Sequence, residues 1–300
     1  MSAQKTILDI ADLDVVFLTY DEPRKDENWI KIKNMVPWAR RVDGIKGSDA
    51  AHKVAAAVST TDRFILVDGD NIPDAEFFNL QLAIDDGNRD CVFRWRARNN
   101  INGLMYGNGG ISSWTKSFVE QMRTHEASDG RTETAIEFCF DPRYWSMHDC
   151  YSTTYPDATP FQAWRAGFRE GVKMCLDRGA RPSMSEFTQR IHQRNYDNLC
   201  VWHSVGADNP NGFWAIYGAR LGTCLTMLED WDYTQVQDFD HLASKWEEYK
   251  DHDPEYCTAI GNRLRTQLKL DIVDMDPGES RFFKHHYRTN WKNLGIMTRE

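Results

Sequence analysis

The chain has 300 residues, 41% hydrophobic and 27% charged, enough for a sizeable core without a disulfide or metal staple. That composition excludes a wholly disordered chain, and no apolar run approaches the ~18 residues of a membrane-spanning helix. The net charge of −9 is uneven, because residues 225–280 hold 14 acids against 5 Lys and Arg; the remainder is neutral, so a polyanionic partner is not excluded.

The opening residues show no basic patch followed by an apolar stretch and a small-residue cleavage site, which argues against secretion. Seven cysteines (Cys91, Cys139, Cys150, Cys175, Cys200, Cys224, Cys257) include no CxxC pair, so reduced thiols and a cytoplasmic setting are expected.

The first strand is DVVFLTY, from Asp14 to Tyr20, ending at Asp21, Glu22 and Pro23. ENWIKIKNMVPWA reads as a helix stopped by Pro37, RRVDGIKG as a brief strand and turn, and SDAAHKVAAAVST as a helix with Ser48 as its N-cap. RFILVDGD is a second apolar strand ending in acids. Strand, helix, strand, helix, strand implies a right-handed α/β sheet with ligands at the strands' carboxyl ends. AEFFNLQLAIDD follows as a helix, and DCVFRWRA as a strand in which Arg94 and Arg96 alternate with apolar neighbours.

LMYGNGGISSW reads as irregular, residues 115–124 as a helix, and FQAWRAGFREGVKMCLDRG as an amphipathic helix stopped at Gly179. VWHSVGADNPNG reads as a strand end and turn, FWAIYGARLGTCLTML as another helix, and the chain from Leu225 as helices packed on the main body. The expected boundary lies near residue 220.

Asp68 and Asp70, separated by Gly69 directly after an apolar strand, carry the strongest chemical signal. Carboxylates at that spacing can hold a hard divalent cation, and the glycine allows a diphosphate to approach closely; the same dipeptide also makes an ordinary capped turn. Arg165 and Arg169 share a helical face and could clamp phosphate or DNA, or pair with a surface acid. The tail SRFFKHHYRTNWK interleaves Arg281, Lys284, Arg288 and Lys292 with Phe282, Phe283, Tyr287 and Trp291. That mix suits phosphate neutralisation and base stacking, or anchors the terminus.

The first strand's TYDE, the turn and helix with Lys46, Gly47, His52 and Lys53, and the strand ending in DGD resemble the GT-A glycosyltransferases. The resemblance implies a Rossmann-like, mixed but mainly parallel sheet flanked by helices. It implies a catalytic domain over residues 1–220, with a donor half at about 1–85 and an acceptor half at 86–220, and a mainly helical region over 221–300.

In that superfamily Thr19, Tyr20 and Asp21 would contact the nucleoside, and His52 and Lys53 the ribose or phosphate. Asp68 and Asp70 would hold Mn²⁺ or Mg²⁺ against the diphosphate, with Asp68 also facing the donor and His203 completing the metal site. Gly109 and Gly110 resemble the acceptor-side glycine loop, and Asp149 would be the acceptor-activating base; Arg165, on its helical face, is expected as a further acceptor contact.

Over most of the first 220 residues, TYDEP, GIKG, AAHK, STTD, VDGD, GNGG and VGAD also look like the glycosyltransferases of tailed bacteriophages that modify hydroxymethylpyrimidines in DNA. The expected function is metal-dependent hexosyl or pentosyl transfer from a UDP-sugar to 5-hydroxymethylcytosine in phage DNA, inside the host cytoplasm and without a membrane partner. Transfer to a polysaccharide, lipid or protein, nucleotidyl transfer, and non-catalytic nucleic-acid binding are the alternatives.

Overall fold

The computed structural model describes residues 5–107, 110–122, 124, 126, 139 and 141–290. The chain forms two compact units, one drawn from the chain up to Asn99 and from stretches between Met105 and Tyr155, the other from Asn100–Leu104 and the chain from Pro156.

The first unit is α/β. Its strands are β1 (Thr6–Asp9), β2 (Asp14–Thr19), β3 (Arg40–Asp43), β4 (Arg63–Asp68), β5 (Asn71–Pro73), β6 (Gln81–Ile84), β7 (Val92–Asn99), β8 (Met105–Tyr106), β9 (Ile111–Thr115) and β10 (Tyr144–Thr154). Its helices are α1 (Lys25–Met35), α2 (Ser48–Val58) and α3 (Lys116–Gln121). The main sheet runs β3-β2-β4-β9-β7-β10-β5, with β8 on β7.

Residue alternation along the strands builds a core on each face. Val15, Phe17, Ile65 and Val67 meet Ile32 of α1 and Val36 just after it on one side. Val16, Phe64 and Leu66 meet Ala55 and Ala56 of α2 and Phe118 of α3 on the other.

The sheet is mixed rather than mainly parallel. β2 pairs parallel with β3 and β4, and β7 with β10, whereas β4–β9, β7–β9, β7–β8 and β5–β10 are antiparallel. The cause lies in LMYGNGGISSW, expected to be irregular. It supplies β8 and β9, and the positive φ of Gly107 (73°) and Gly110 (65°) lets the chain reverse without a crossover helix.

Two other local expectations change. Residues 75–86 are a short 3-10 turn, Ala75–Asn79, followed by β6, because β6 pairs with β1 and buries Leu82. Ser48 is the first helical residue and not the N-cap: Gly47, at φ 96°, holds that position. The free N–H groups of Ser48 and Asp49 donate instead to the Glu126 carboxylate.

The second unit holds α4 (Pro160–Met174), α5 (Phe187–Arg190), α6 (Gln193–Trp202), α7 (Gly212–Leu228), α8 (Phe239–Tyr249), α9 (Pro254–Leu268) and α10 (Pro277–Asn290). The expected boundary at residue 220 falls inside α7. The reason is glycine spacing: Gly167 and Gly171 of α4 and Gly218 and Gly222 of α7 bring the two backbones together. A Cβ at Gly218 would run into the Trp164 carbonyl, and one at Gly222 into that of Phe168.

α4 ends at Met174, and Gly179, at φ 80°, turns a tight loop between Asp177 and Ala180 instead of stopping the helix. VWHSVGADNPNG is the end of α6 and a loop, not a strand end. In that loop Asp208 accepts from Ser280 Oγ (2.9 Å) and pairs with Lys284 (2.7 Å), so one cation of the basic tail anchors α10. Phe282 stays 66% exposed; Trp291 and Lys292 lie outside the described residues. Among the described residues no helix is long and apolar enough to cross a membrane.

The α4–α7 contact sets a sign test. Helix propensity alone makes Gly→Ala favourable by about 1 kcal/mol, but overpacking costs about 1–3 kcal/mol or more. Gly218→Ala is expected to lower stability in denaturant titration; an increase would show that the helices are not in backbone contact.

Candidate active site

The carboxyl ends of β2, β3 and β4 converge in the first unit. Thr19, the last residue of β2, is buried; its hydroxyl donates to Asp43 Oδ1 (2.7 Å) and accepts from Arg41 Nε (3.1 Å). Lys25 at the start of α1 donates to the Tyr20 carbonyl (2.8 Å) and to Asp43 (2.7 Å). Burial pushes the Asp43 carboxyl up, but Lys25, Thr19 and Arg41 outweigh it and hold the group below the ordinary carboxylate range.

The DGD turn leaves β4 against this network. Glu22 accepts from the Tyr20 N–H (2.8 Å) and lies beside Gly69, where a Cβ would come within 2.7 Å of the Glu22 carboxylate and 2.9 Å of Thr19 Cγ2. Only glycine fits there without displacement. Asn28 of α1, 3% exposed, donates from Nδ2 to the Gly69 carbonyl (2.9 Å). Asp68 N–H donates to the Gly110 carbonyl (2.8 Å), and Tyr155 N–H to the Asp70 carbonyl (2.8 Å). The turn is therefore pinned from three sides.

Asp68 is open to solvent at its surface yet crowded by surrounding protein. That crowding, followed by the like charges of Asp70 and Glu22, pushes its carboxyl up to about 8. The solvent-open surface moderates the desolvation part, while the carboxylate repulsion remains. Burial also raises the Glu22 carboxyl, with the Tyr20 N–H opposing and Asp21 adding like charge. Next to the turn, Asn71 is fully buried with neither side-chain polar atom hydrogen-bonded. Such a group costs about 1–3 kcal/mol, and a ligand is one way to satisfy it.

Among the described residues no three His, Cys, Asp or Glu side chains form a ready-made cation cage. A Mg²⁺-type site built from one or two carboxylates, substrate phosphates and water needs none. Asp68 and Asp70 fit that donor set, with the orphaned Asn71 amide beside them.

The other expected site residues are distributed differently. Thr19 and Tyr20 border the turn, but Glu22, not Asp21, reaches Asp68; Asp21 is exposed and acts through its charge on Glu22. His52 is a correction: it is 7% exposed, bonded from Nδ1 to the Ser48 carbonyl (2.8 Å) and packed edge-on against Trp114, with burial lowering its pKa. A buried neutral imidazole cannot reach a ribose or phosphate. Lys53 is exposed on α2. Gly110 supports the DGD turn and abuts Asn71, while Gly109 lies outside the described residues.

Asp149, the expected base, is part of β10. It lies exposed in a bulge of β10, where Cys150 is level with Arg96, whereas Thr154 is level with Asn99 and pairs with Asn71. Three strand positions separate the bulge from that level, about 10 Å along the sheet, so the structure does not bring Asp149 to the diacid turn.

His203 and Arg165 belong to the helical unit. His203 is fully buried, with Nε2 on Thr223 (3.1 Å) and its carbonyl accepting from Arg220. Burial, then the Arg220 charge, lowers its pKa to about 3. Its place in the helix core corrects the metal-ligand expectation. Arg165 stacks over Phe161 and Phe239, at 5.3 and 4.6 Å, and Arg169 also stacks over Phe239.

Sequence reading missed Glu22, Asn28, Asp43 and Asn71 as site residues. Asn28 had a usable signal: it precedes Ile32 by four residues on the buried stripe of α1, where a polar side chain needs a specific partner.

No family model, curated protein or solved structure matches this chain.

The Asp68 shift has a definite pH signature. With its carboxyl raised from the ordinary 3.8 toward about 8 by burial and by the like charges of Asp70 and Glu22, the folded state holds the extra proton between the ordinary and the raised value. Its contribution is fully present below the lower value and is lost as pH rises through the upper one. Without divalent cation, the melting temperature of wild type relative to Asp68→Asn is expected to fall between about pH 4 and 8, and millimolar Mn²⁺ to oppose that fall. Parallel pH curves for the two proteins would contradict the shift.

Proposed function

We propose that the protein is a metal-dependent glycosyltransferase that takes a sugar from a nucleoside diphosphate, with uridine as the base. The observation that carries this reading is the pinned DGD turn. It presents Asp68 and Asp70 at the carboxyl end of β4, beside the ends of β2 and β3, where α/β sheets bind ligands.

Asp68 and Asp70 would hold Mn²⁺ or Mg²⁺, and the cation would neutralise charge developing on the departing diphosphate. Glu22 and Asn28 keep the turn in place, and Gly69 leaves its backbone approachable. Tyr20, 40% exposed at the end of β2, offers a ring for the nucleobase. Thr19, Lys25 and Arg41 around Asp43 fix the wall from which that ring projects.

The proposed acceptor is the hydroxymethyl group of 5-hydroxymethylcytosine in DNA. The resemblance of GIKG, VDGD, GNGG and VGAD to phage DNA-modifying enzymes supports it, as does the neutral charge balance outside residues 225–280.

The test incubates purified protein, Mn²⁺ and a panel of UDP-sugars with an oligonucleotide containing hydroxymethylcytosine, read by mass spectrometry. Wild type is expected to add one sugar mass per modified base, chelator to abolish the addition, and Asp70→Ala to lower it by at least a hundredfold without changing the melting curve. A fully active Asp70→Ala would remove the diacid from the chemistry, and transfer only to polysaccharide, lipid or protein acceptors would replace DNA as the substrate.

A further inference from the structure

β7 carries Arg94, Arg96 and Arg98 at alternate positions, with buried Phe93, Trp95 and Ala97 between them. Phe93 and Trp95 belong to the core on the α1 side. The period of two therefore places the three arginines together on the opposite face. Register irregularities lie between Ser146 and Cys150 and between Cys150 and Thr153 of β10, while β7 advances two positions at each step. The row consequently stays straight, with successive arginines about 6.6 Å apart along the strand.

These guanidinium groups differ from the ion-paired arginines of the unit. Arg41 pairs with Asp26, Arg89 with Asp86 and Arg143 with Asp141. Among the described residues neither Arg94 nor Arg98 has a carboxylate partner. Arg94 lies over the Tyr144 ring at 4.6 Å, and Arg98 makes a long 3.5 Å contact to Thr153 Oγ1. The Nε atoms of both are buried without a hydrogen bond. Arg96 contacts His148 Nδ1 at 3.2 Å. All three side chains are half-buried, so each cation has been partly desolvated and a carboxylate has not been supplied for the two outer ones.

We propose that this face of β7 binds the phosphate backbone of single-stranded DNA, one phosphate to each arginine. The inference deepens the acceptor assignment above and rests on it. A straight row of cations suits an extended polyanion better than one compact phosphate, and its spacing is close to that of successive phosphates along a stretched strand. Guanidinium forks match phosphate oxygens two at a time. Single-stranded substrate also presents a base hydroxymethyl group without the unpairing that duplex DNA requires.

The test measures anisotropy of a labelled oligothymidylate over a salt series. Arg94→Gln/Arg98→Gln is expected to weaken binding at least tenfold and reduce the slope of log affinity against log salt by about 1.4, at about 0.7 per phosphate contact on a single strand. Arg40→Gln/Arg89→Gln removes the same charge from surface arginines paired with Asp14 and Asp86 and should leave both quantities near wild type. Arg94→Lys/Arg98→Lys keeps the charge and should retain the slope, so it separates lost phosphate contacts from a damaged strand.

An unchanged slope in the glutamine variant, tighter binding of duplex than of single strand, or no binding by wild type would each overturn the proposal. UDP binding with Mn²⁺ is measured on the same preparations. Its absence with an intact arginine effect would defeat the glycosyltransferase reading and leave the DNA track standing; its presence with no arginine effect would do the reverse.

Discussion

The candidate site depends on one close approach, the contact of Gly69 with Glu22 and Thr19. A Cβ at Gly69 would displace the Glu22 carboxylate and crowd the Thr19 methyl group. The close approach lets Asn28 reach the Gly69 carbonyl from α1 and sets Asp68 and Asp70 beside a third carboxylate. Without it the repulsion among Asp68, Asp70 and Glu22 would be relieved by separation. With it, relief comes from a proton on Asp68 or from a cation, which links the fold of one turn to the chemistry at its surface.

The sheet around that turn was legible where strands are apolar and bounded by acids. DVVFLT and RFILVD became β2 and β4 because such runs are buried on both faces of a sheet, whereas RRVD became the edge strand β3 with only Val42 buried. The antiparallel half was hidden in short segments. β8 has two residues and pairs with the preceding β7, while β6 has four and depends on β1, a partner distant in the chain. Local propensity has no access to such pairings.

Of the site, the diacid was readable because both ligand-type residues lie within three positions. Its support was not, because Asn28, Glu22 and Asp43 come from separate places in the chain and act through contacts that only the fold brings about. The histidines illustrate the opposite failure. Motif order drew attention to His52 and His203, but burial decides their chemistry, and both imidazoles are held neutral inside packed helices. In the helical unit the decisive pattern was four glycines on α4 and α7, whose meaning emerges only when the helices face each other.

Calorimetric titration of uridine diphosphate into the full chain, with Mn²⁺ and then with chelator, tests the central claim most directly. The account expects binding that requires Mn²⁺ and is lost in Asp70→Ala, while Asn28→Ala, which frees the turn, weakens it without abolishing it. Binding of equal strength in chelator, or undiminished in Asp70→Ala, would contradict the assignment of the diacid turn as the donor site.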